Sequence, residues 1–314
     1  MNNNLRKLFL PILVTLLLTG CVTAYLDDYA AEPKTDITPL MWLVTSPGGQ
    51  TMYLFGSIHA AAEDLYPLPA FIMDAFHRSD YLAVEVDLLS LGELSIEEQM
   101  ALLALQMYTD GRTIADDIGP ELHEKARALL AESELEFPLE LYDRFKPIMW
   151  YSFLLHIVLE RSDITGEFGV DLHFLHLAAE RRMEVLEVES AMEQMEILTG
   201  LSIPLQAAMM EDMLEDLDRA VYELNEMYRL WKQGNAEEMY AFSISQFNRL
   251  GPELAAEFYD AILTQRDILM TETARGYMAE GKKVFFVVGL LHLLGEGSVV
   301  DLLIQAGYDV ALVR

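Results

Sequence analysis

The chain has 314 residues, of which 52% are hydrophobic, and its formal net charge at pH 7 is −30. This length suffices for one large domain or two ordinary ones, and the hydrophobic content excludes a disordered chain. The acidic balance argues against nucleic-acid binding, which needs clustered lysine and arginine, and against attachment to anionic lipid through basic residues. The carboxylates are spread along segments such as "EDMLEDLD", which indicates a solvated surface, with an acidic groove for a basic substrate as the alternative.

The N-terminus is typical of a bacterial lipoprotein signal, which we place at residues 1–20. Two basic residues precede an apolar run from Leu8 to Leu18, too short for a comfortable membrane span. A small residue then precedes Cys21, the only cysteine, which we expect to be lipidated. An ordinary signal peptide is the alternative. Val22 rather than aspartate follows, so we expect anchoring to the outer membrane, facing the periplasm, with residues 21–40 as a linker.

The chain then begins with strand patterns and turns helical. "MWLVT" and "TMYLFG" flank the turn sequence "SPGGQ" and predict a hairpin, followed by a short helix over "FIMDAFHRS" and a strand over "YLAVEVDL". Helical periodicity covers about 95–182 and about 195–280, with the strand "MEVLEVES" between them. A helix beginning near Pro147 is apolar nearly all round and should be buried, and the clearest helix runs from Met210 to Trp231.

The C-terminus returns to strand patterns. "KKVFFVVGLLH" reads as a buried strand, "VVDLLIQA" as a helix and "DVALVR" as a last strand. Strand-rich ends and a helical middle predict an α/β (α+β) fold class. We expect a mixed sheet formed by the N- and C-terminal parts, with a large helical insertion, in one domain over residues 41–314.

Two matched motifs stand after apolar strands. Gly56-Ser57-Ile58-His59 follows "MYLF", and Gly289-Leu290-Leu291-His292 follows "VFFVV". Glycine permits a sharp turn or a close approach, and ligands of open α/β sheets bind at strand ends. Two neutral imidazoles with one carboxylate form an open metal site that activates water.

Glu85 is the carboxylate that we expect at this site. It lies in the apolar pattern "LAVEV", where an unpaired charge would be costly. Asp87 on the same face is its rival, and a salt bridge is the structural alternative for Glu85. His173 and His176 lie three apart on a predicted helix, where solvent or packing roles are the alternative to a metal pair.

Together these segments resemble the TraB/GumN family, whose animal relatives are the Tiki metalloproteases. The resemblance covers about residues 41–314 and includes "SDYLAVEVD", "GVDLHFLHLAAERRMEVLEVESAMEQ", "QRDILM" and "VVGLLHLLGEGSVVDLLIQAGYDV". It implies a metal-dependent, peptidase-like site with manganese, cobalt or zinc, and a peptide or protein substrate. His59, Glu85 and His292 match the family's histidines and glutamate and are the expected metal ligands.

Further positions match other motifs of the family. Gly169 and Asp171 match a Gly-x-Asp motif, and Glu189 matches a second glutamate. Glu189 is expected to act as a general base for the metal-activated water or to orient a histidine. Arg266 matches an arginine usually followed by asparagine, where this chain has Asp267; Arg266 would neutralise an oxyanion or a substrate carboxylate, with a salt bridge as the alternative.

Three functional hypotheses follow. The first is a membrane-anchored, metal-dependent hydrolase that cleaves peptides in the periplasm. The second is a ligand-binding lipoprotein, for a haem-like ligand held by His173 or His176. The third is an interaction module on the same fold with an inactive site.

Overall fold

A computed structural model describes residues 33–133 and 137–314. The predicted signal peptide, the lipidation site Cys21 and residues 21–32 of the predicted linker lie outside these residues. Among the described residues, no helix combines the length and the apolar character that crossing a bilayer requires.

A six-stranded mixed sheet organises the fold. Its strands are β1 Met41–Thr45, β2 Thr51–Ser57, β3 Tyr81–Val84, β4 Glu184–Glu187, β5 Val284–Gly289 and β6 Asp309–Val313. Their spatial order is β4-β3-β5-β2-β1-β6. The four strands β4, β3, β5 and β2 run parallel, while β1 is antiparallel to both of its neighbours. The predicted α/β fold, with a sheet drawn from both ends of the chain, is confirmed.

Helices account for most of the remaining described chain. They are α1 Ala70–Arg78, α2 Ile96–Gln106, α3 Ile114–Ile118, α4 Pro120–Leu130, α5 Leu139–Tyr142, α6 Pro147–Glu160, α7 Val170–Arg181, α8 Ala191–Gly200, α9 Ile203–Glu215, α10 Leu217–Gln233, α11 Ala236–Asn248, α12 Pro252–Phe258, α13 Gln265–Ala279 and α14 Val299–Gln305. A six-residue π-helix, Tyr259–Thr264, joins α12 to α13 without a break.

Two clusters of buried hydrophobic residues form the core of the described chain. One covers the sheet, where β5 is buried along almost its whole length as expected for a central parallel strand. The other lies among the helices of the middle segment and includes the predicted buried helix α6, which begins at Pro147. Proline suits this first helical position because its missing N–H has no partner there.

Two predicted elements differ from the structure. The helix expected from Met210 to Trp231 is interrupted at Asp216, whose backbone is extended and whose carboxylate accepts the amide of Arg219 at 2.9 Å. A capping carboxylate starts a new helix even where the apolar period continues. The strand expected over "YLAVEVDL" ends at Val84, so Glu85 follows the strand instead of lying within it.

Candidate active site

Four parallel strands end at one edge of the sheet, and a predicted site residue follows each. His59 follows β2, Glu85 follows β3, Glu189 follows β4 and His292 follows β5. The pairing of Ser57 with Gly289 brings the two histidine loops side by side. The loops after β3 and β4 remain in register, because the Glu189 amide donates to the Glu85 carbonyl at 3.0 Å. Parallel topology thus gathers residues that are up to 233 positions apart (292 − 59).

Glycines permit the close approaches that this edge needs. A Cβ atom at Gly56 would collide with Leu290, and one at Gly169 would collide with the backbone carbonyl of His59. The second contact matters for the site, because Gly169 precedes α7 and lets Asp171 reach the first histidine. The Gly56 carbonyl also accepts a hydrogen bond of 2.9 Å from the buried indole of Trp231 on α10.

His59 is oriented by Asp171. Its Nδ1 lies 2.8 Å from Oδ2 of Asp171, which leaves Nε2 free to face the site. Burial lowers the pKa of His59, but the charge and hydrogen bond of Asp171 outweigh it and raise the pKa from 6.5 to about 9. The side chain is 49% exposed, so solvent screens part of this attraction.

His292 is held in the same way by Asp267. Its Nδ1 lies 2.6 Å from Oδ1 of Asp267, and both side chains are buried. Its Nε2 lies 3.2 Å from Nη1 of Arg266. Because a guanidinium only donates, Nε2 accepts this bond and Nδ1 carries the proton that is donated to Asp267.

Glu85 is a buried carboxylate with strong partners. Its Oε1 accepts the backbone amide of Gly289 at 2.6 Å, and its Oε2 accepts Nη2 of Arg266 at 2.7 Å. Burial raises the pKa of Glu85, but Arg266 and then the two histidines outweigh it and lower the pKa from 4.5 to about 2. Its predicted rival Asp87 instead accepts the amides of Leu89 and Ser90 in its own loop.

Arg266 lies between the two glutamates. Its Nε donates to Oε2 of Glu189 at 3.1 Å, and its Nη2 contacts both Oε1 of Glu189 and Glu85. Oε1 of Glu189 also accepts a bond of 3.1 Å from the side-chain amide of Gln194. Burial lowers the pKa of Arg266, but the two glutamates raise it further, so the guanidinium stays charged.

Gly289 marks the point where the ligand candidates converge. A Cβ atom built on it would lie 3.2 Å from Oε1 of Glu85, 3.4 Å from Nε2 of His59 and 3.6 Å from Cδ2 of His292. Only a residue without a side chain keeps this small space between the three groups open. The second glycine of the matched motifs therefore lies at the centre of the site.

The formal charges of the site leave an excess of carboxylates. Four carboxylates, from Glu85, Asp171, Glu189 and Asp267, face one guanidinium and two imidazoles. Even with both imidazoles protonated, the negative charges exceed the positive ones by one (4 − 1 − 2 = 1). Buried charges are normally paired or bound to metals, and this formal count leaves one negative charge unbalanced.

The donor types fit a divalent metal. Each histidine has Nδ1 on a carboxylate and presents Nε2 inward, which is the usual support of a metal-binding imidazole, and Glu85 adds an anionic oxygen. Within residues 33–133 and 137–314, however, no three His, Cys, Asp or Glu side chains are arranged to hold a metal ion. The guanidinium of Arg266 instead contacts Glu85, Glu189 and His292 at once.

A cavity of about 950 Å³ opens beside these residues, between the sheet edge and the helical middle segment. His59, Glu85 and Arg266 line it next to the strand ends. Aromatic, aliphatic and methionine side chains dominate elsewhere, among them Phe145, Phe153, Leu198, Met209, Met213 and Ile262. The polar groups of the site therefore adjoin a large apolar chamber, as is typical of ligand sites.

Neither His173 nor His176 is among the residues that line this cavity. His173 is buried on α7 with its ring centroid 4.1 Å from that of Tyr66, and burial lowers its pKa to about 3. The role of His173 or His176 in ligand binding stays a prediction. Sequence reasoning missed Asp267 and Gln194 as members of the site. Asp267 could have been found because it directly follows Arg266, and Gln194 because it lies five residues after Glu189.

Comparisons with known proteins identify the family of the chain. The uncharacterized protein YbaP of Escherichia coli is 24% identical over 262 residues, which cover 83% of this chain and 90% of YbaP. The metalloprotease TIKI1 of Danio rerio is 21% identical over 322 aligned residues, which cover 88% of this chain and 64% of TIKI1. No solved structure matches the chain significantly. The model of the TraB/PrgY/gumN family matches residues 40–311, which confirms the resemblance: the chain belongs to the TraB/PrgY/gumN family.

Proposed function

We propose that this protein is a metal-dependent hydrolase that cleaves peptides. The observation that carries the proposal is the pair of histidines whose Nδ1 atoms are held by buried carboxylates, with both rings and Glu85 directed at Gly289. Family membership and the similarity to a metalloprotease support the same reading. Low identity to that relative makes the site, rather than the name, the main support.

His59, Glu85 and His292 would hold the metal, which we expect to be manganese, cobalt or zinc. When bound, such an ion supplies Lewis acidity and lowers the pKa of water. Asp171 and Asp267 keep the two imidazoles in the tautomer that presents Nε2 to the site. Oxygen and imidazole ligands together do not select strongly among these three metals.

Arg266 and Glu189 have proposed roles in the hydrolysis step itself. Peptide hydrolysis adds water to the carbonyl carbon, so negative charge develops on the carbonyl oxygen before the C–N bond breaks. Arg266 lines the cavity and is the cation that we assign to this oxygen. The two contacts of Glu189 with the guanidinium favour a positioning role for Glu189, because both of its carboxylate oxygens already accept hydrogen bonds from Arg266. Its role as a general base stays a prediction.

The apolar chamber supports a peptide substrate with large hydrophobic side chains near the cleaved bond. Several methionines line it, and methionine adapts its shape to varied partners. A chamber of about 950 Å³ has room for several residues of an extended peptide. This feature favours broad recognition of apolar segments over recognition of one residue.

We also propose a location for this activity. The signal at residues 1–20 and the lone Cys21 support a lipid anchor on the outer membrane, facing the periplasm. Metabolic labelling with a palmitate analogue tests it. Label that persists in a Cys21→Ser variant would contradict the anchor.

Cleavage of a peptide library tests the hydrolase directly. The full chain, purified in detergent and loaded with Mn²⁺, Co²⁺ or Zn²⁺, is incubated with peptides of varied sequence, and the products are identified by mass spectrometry. We expect cleavage beside large apolar residues, which is lost in Glu85→Gln. Absence of cleavage by folded, metal-loaded protein would contradict the proposal.

A further inference from the structure

Arg266 contacts two of the three candidate metal ligands. Its Nη2 lies 2.7 Å from Oε2 of Glu85, and its Nη1 lies 3.2 Å from Nε2 of His292. These are two of the three groups that we assign to the metal. The guanidinium therefore supplies positive charge to the same atoms that a divalent ion would use.

The same guanidinium has a second partner that the metal does not need. Its Nε and Nη2 donate to the two oxygens of Glu189, which is the fork arrangement of a strong arginine–carboxylate pair. The bond to Glu85 uses the second hydrogen of Nη2, and the bond to His292 uses Nη1. Arg266 can thus leave the two proposed ligands without losing its pairing with Glu189.

The backbone before Arg266 has an unusual geometry. The π-helix Tyr259–Thr264 ends two residues before it, and Nη1 of Arg266 also donates to the carbonyl of Ile262 within that segment at 3.3 Å. π-Helices are rare, and they often lie at functional sites. A change from π to α pairing would rotate Arg266 relative to α12, and Ile262 and Arg266 both line the cavity.

We infer that Arg266 is an internal cation that holds the metal-free site together and that an incoming divalent metal displaces from Glu85 and His292, while Glu189 retains it. This inference rests on the metal centre proposed above. The excess of carboxylates explains why a cation is needed in either state. The displaced guanidinium would remain at the cavity wall, where a substrate carbonyl can reach it.

Displacement has a measurable consequence for metal affinity. A metal that must compete with an internal cation binds only to the molecules in which the cation has left the ligands. The apparent metal affinity is therefore the intrinsic affinity multiplied by the fraction of such molecules. Removing the guanidinium therefore strengthens metal binding, and it leaves the metal-free protein with unpaired buried carboxylates. Both effects are opposite to those of losing a metal ligand.

Zn²⁺ binding to the full chain in detergent tests this inference. Affinity is measured by competition with a chromophoric chelator for the parent, for Arg266→Met and for Arg275→Met. Arg275 is an exposed residue of the same helix and controls for the loss of one positive charge. We expect Arg266→Met to bind Zn²⁺ about tenfold or more tightly than the parent, while Arg275→Met is unchanged. We also expect Zn²⁺ to raise the melting temperature of Arg266→Met more than that of the parent.

The other outcomes are distinguishable. Equal Zn²⁺ affinity in the parent and Arg266→Met overturns the displacement and leaves the proposed metal centre standing. Absence of Zn²⁺ binding in the parent and in Arg266→Met overturns the metal centre and the displacement together.

A measurement on the parent covers the case in which Arg266→Met does not fold. The protein is labelled with ¹⁵N-arginine, the Arg266 side-chain signals are assigned with Arg266→Lys, and Zn²⁺ is added. We expect the Nη signals to shift while the Nε signal, bonded to Glu189, keeps its position. Nη signals that stay unchanged at saturating Zn²⁺ overturn the inference.

Discussion

The Nδ1 atom of His292 lies 2.6 Å from Oδ1 of Asp267. His59 has the same relation to Asp171, at 2.8 Å. The two histidines come from the two Gly-x-x-His segments, and their carboxylates stand at the first turns of α7 and α13. Two loops and two helices therefore form a pair of matched supports for one site.

Asp267→Ala tests the support of the second histidine. Without Oδ1 the ring of His292 loses its orientation, so we expect metal affinity to fall by about 10–100-fold. Asp87→Ala is the matched control, because that carboxylate bonds only amides of its own loop among the hydrogen bonds described. Titration with Zn²⁺ measures both variants, and equal affinity in the parent and Asp267→Ala would refute the assigned role.

Gly289→Ala tests the convergence of the three candidate ligands. The backbone at Gly289, with φ −50° and ψ 133°, suits alanine, so we expect little change in thermal unfolding. Its methyl group would enter the space between Glu85, His59 and His292, and we expect metal affinity to fall about tenfold or more. Gly92→Ala is the control, since nothing lies within 4 Å of the added methyl group there. Metal binding that survives in folded Gly289→Ala would place the ion elsewhere.

The pair of His59 and Asp171 gives the metal-free protein a specific dependence of stability on pH. The folded pKa of about 9 lies above the ordinary 6.5, so this stabilisation is fully present below pH 6.5 and is lost as pH rises through about 9. Because the ring is half exposed, we expect a loss on the order of 1 kcal/mol in the free energy of unfolding. Urea unfolding with a chelator, at about pH 6 and about pH 9.5, measures it.

Asp171→Asn is the comparison for that experiment. It removes the charge that raises the pKa of His59, so its stability should fall less over the same pH interval. An equal fall in the parent and Asp171→Asn would assign the pH dependence to other groups.

Trp231→Phe tests the link between α10 and the first histidine loop. The buried indole donates a hydrogen bond of 2.9 Å to the carbonyl of Gly56, three residues before His59. Phenylalanine keeps most of the apolar contact but leaves the carbonyl without this donor, which should cost about 1–3 kcal/mol in the free energy of unfolding. Trp42→Phe, at a buried position of β1, is a control for the change of residue type. A loss no larger than that of the control would mean that water replaces the indole at no cost.

Leu198→Trp tests the role of the apolar chamber. Leu198 lines it on α8, and a larger ring there would fill part of the space. We expect the KM for apolar peptides to rise while bound metal is unchanged. A metal content that falls in parallel would indicate general damage to the site.

Most of what could be predicted from the sequence about the sheet came from the strand patterns and the motif glycines. Period-two and fully apolar runs predicted the hairpin and β5, and parallel strands necessarily bring their carboxyl ends to one edge. That rule predicted that His59 and His292 lie near one another, whereas Glu85 was expected within its strand and Glu189 was assigned through the family resemblance. The sheet and its α/β class therefore followed from local patterns.

Contacts between distant side chains could not be predicted in the same way. Asp267 was seen only as a departure from the family's asparagine, yet it holds His292 across 25 positions of the chain. The break at Asp216 could not be predicted because the apolar period continues across it. The hydrogen bond from the Arg219 amide to the Asp216 carboxylate starts the second helix there. The position of Arg266 between two glutamates depends on how α13 packs on the sheet edge.

The metal content of the protein tests the central claim most directly. The full chain, purified in detergent without chelators, is loaded with Mn²⁺, Co²⁺ or Zn²⁺ and dialysed, and bound metal is measured by mass spectrometry beside a His59→Ala, His292→Ala double variant. We expect close to one ion per chain in the parent and none in the folded double variant. A parent without bound metal, or a double variant that retains it, would contradict a metal centre at the ends of β2 and β5.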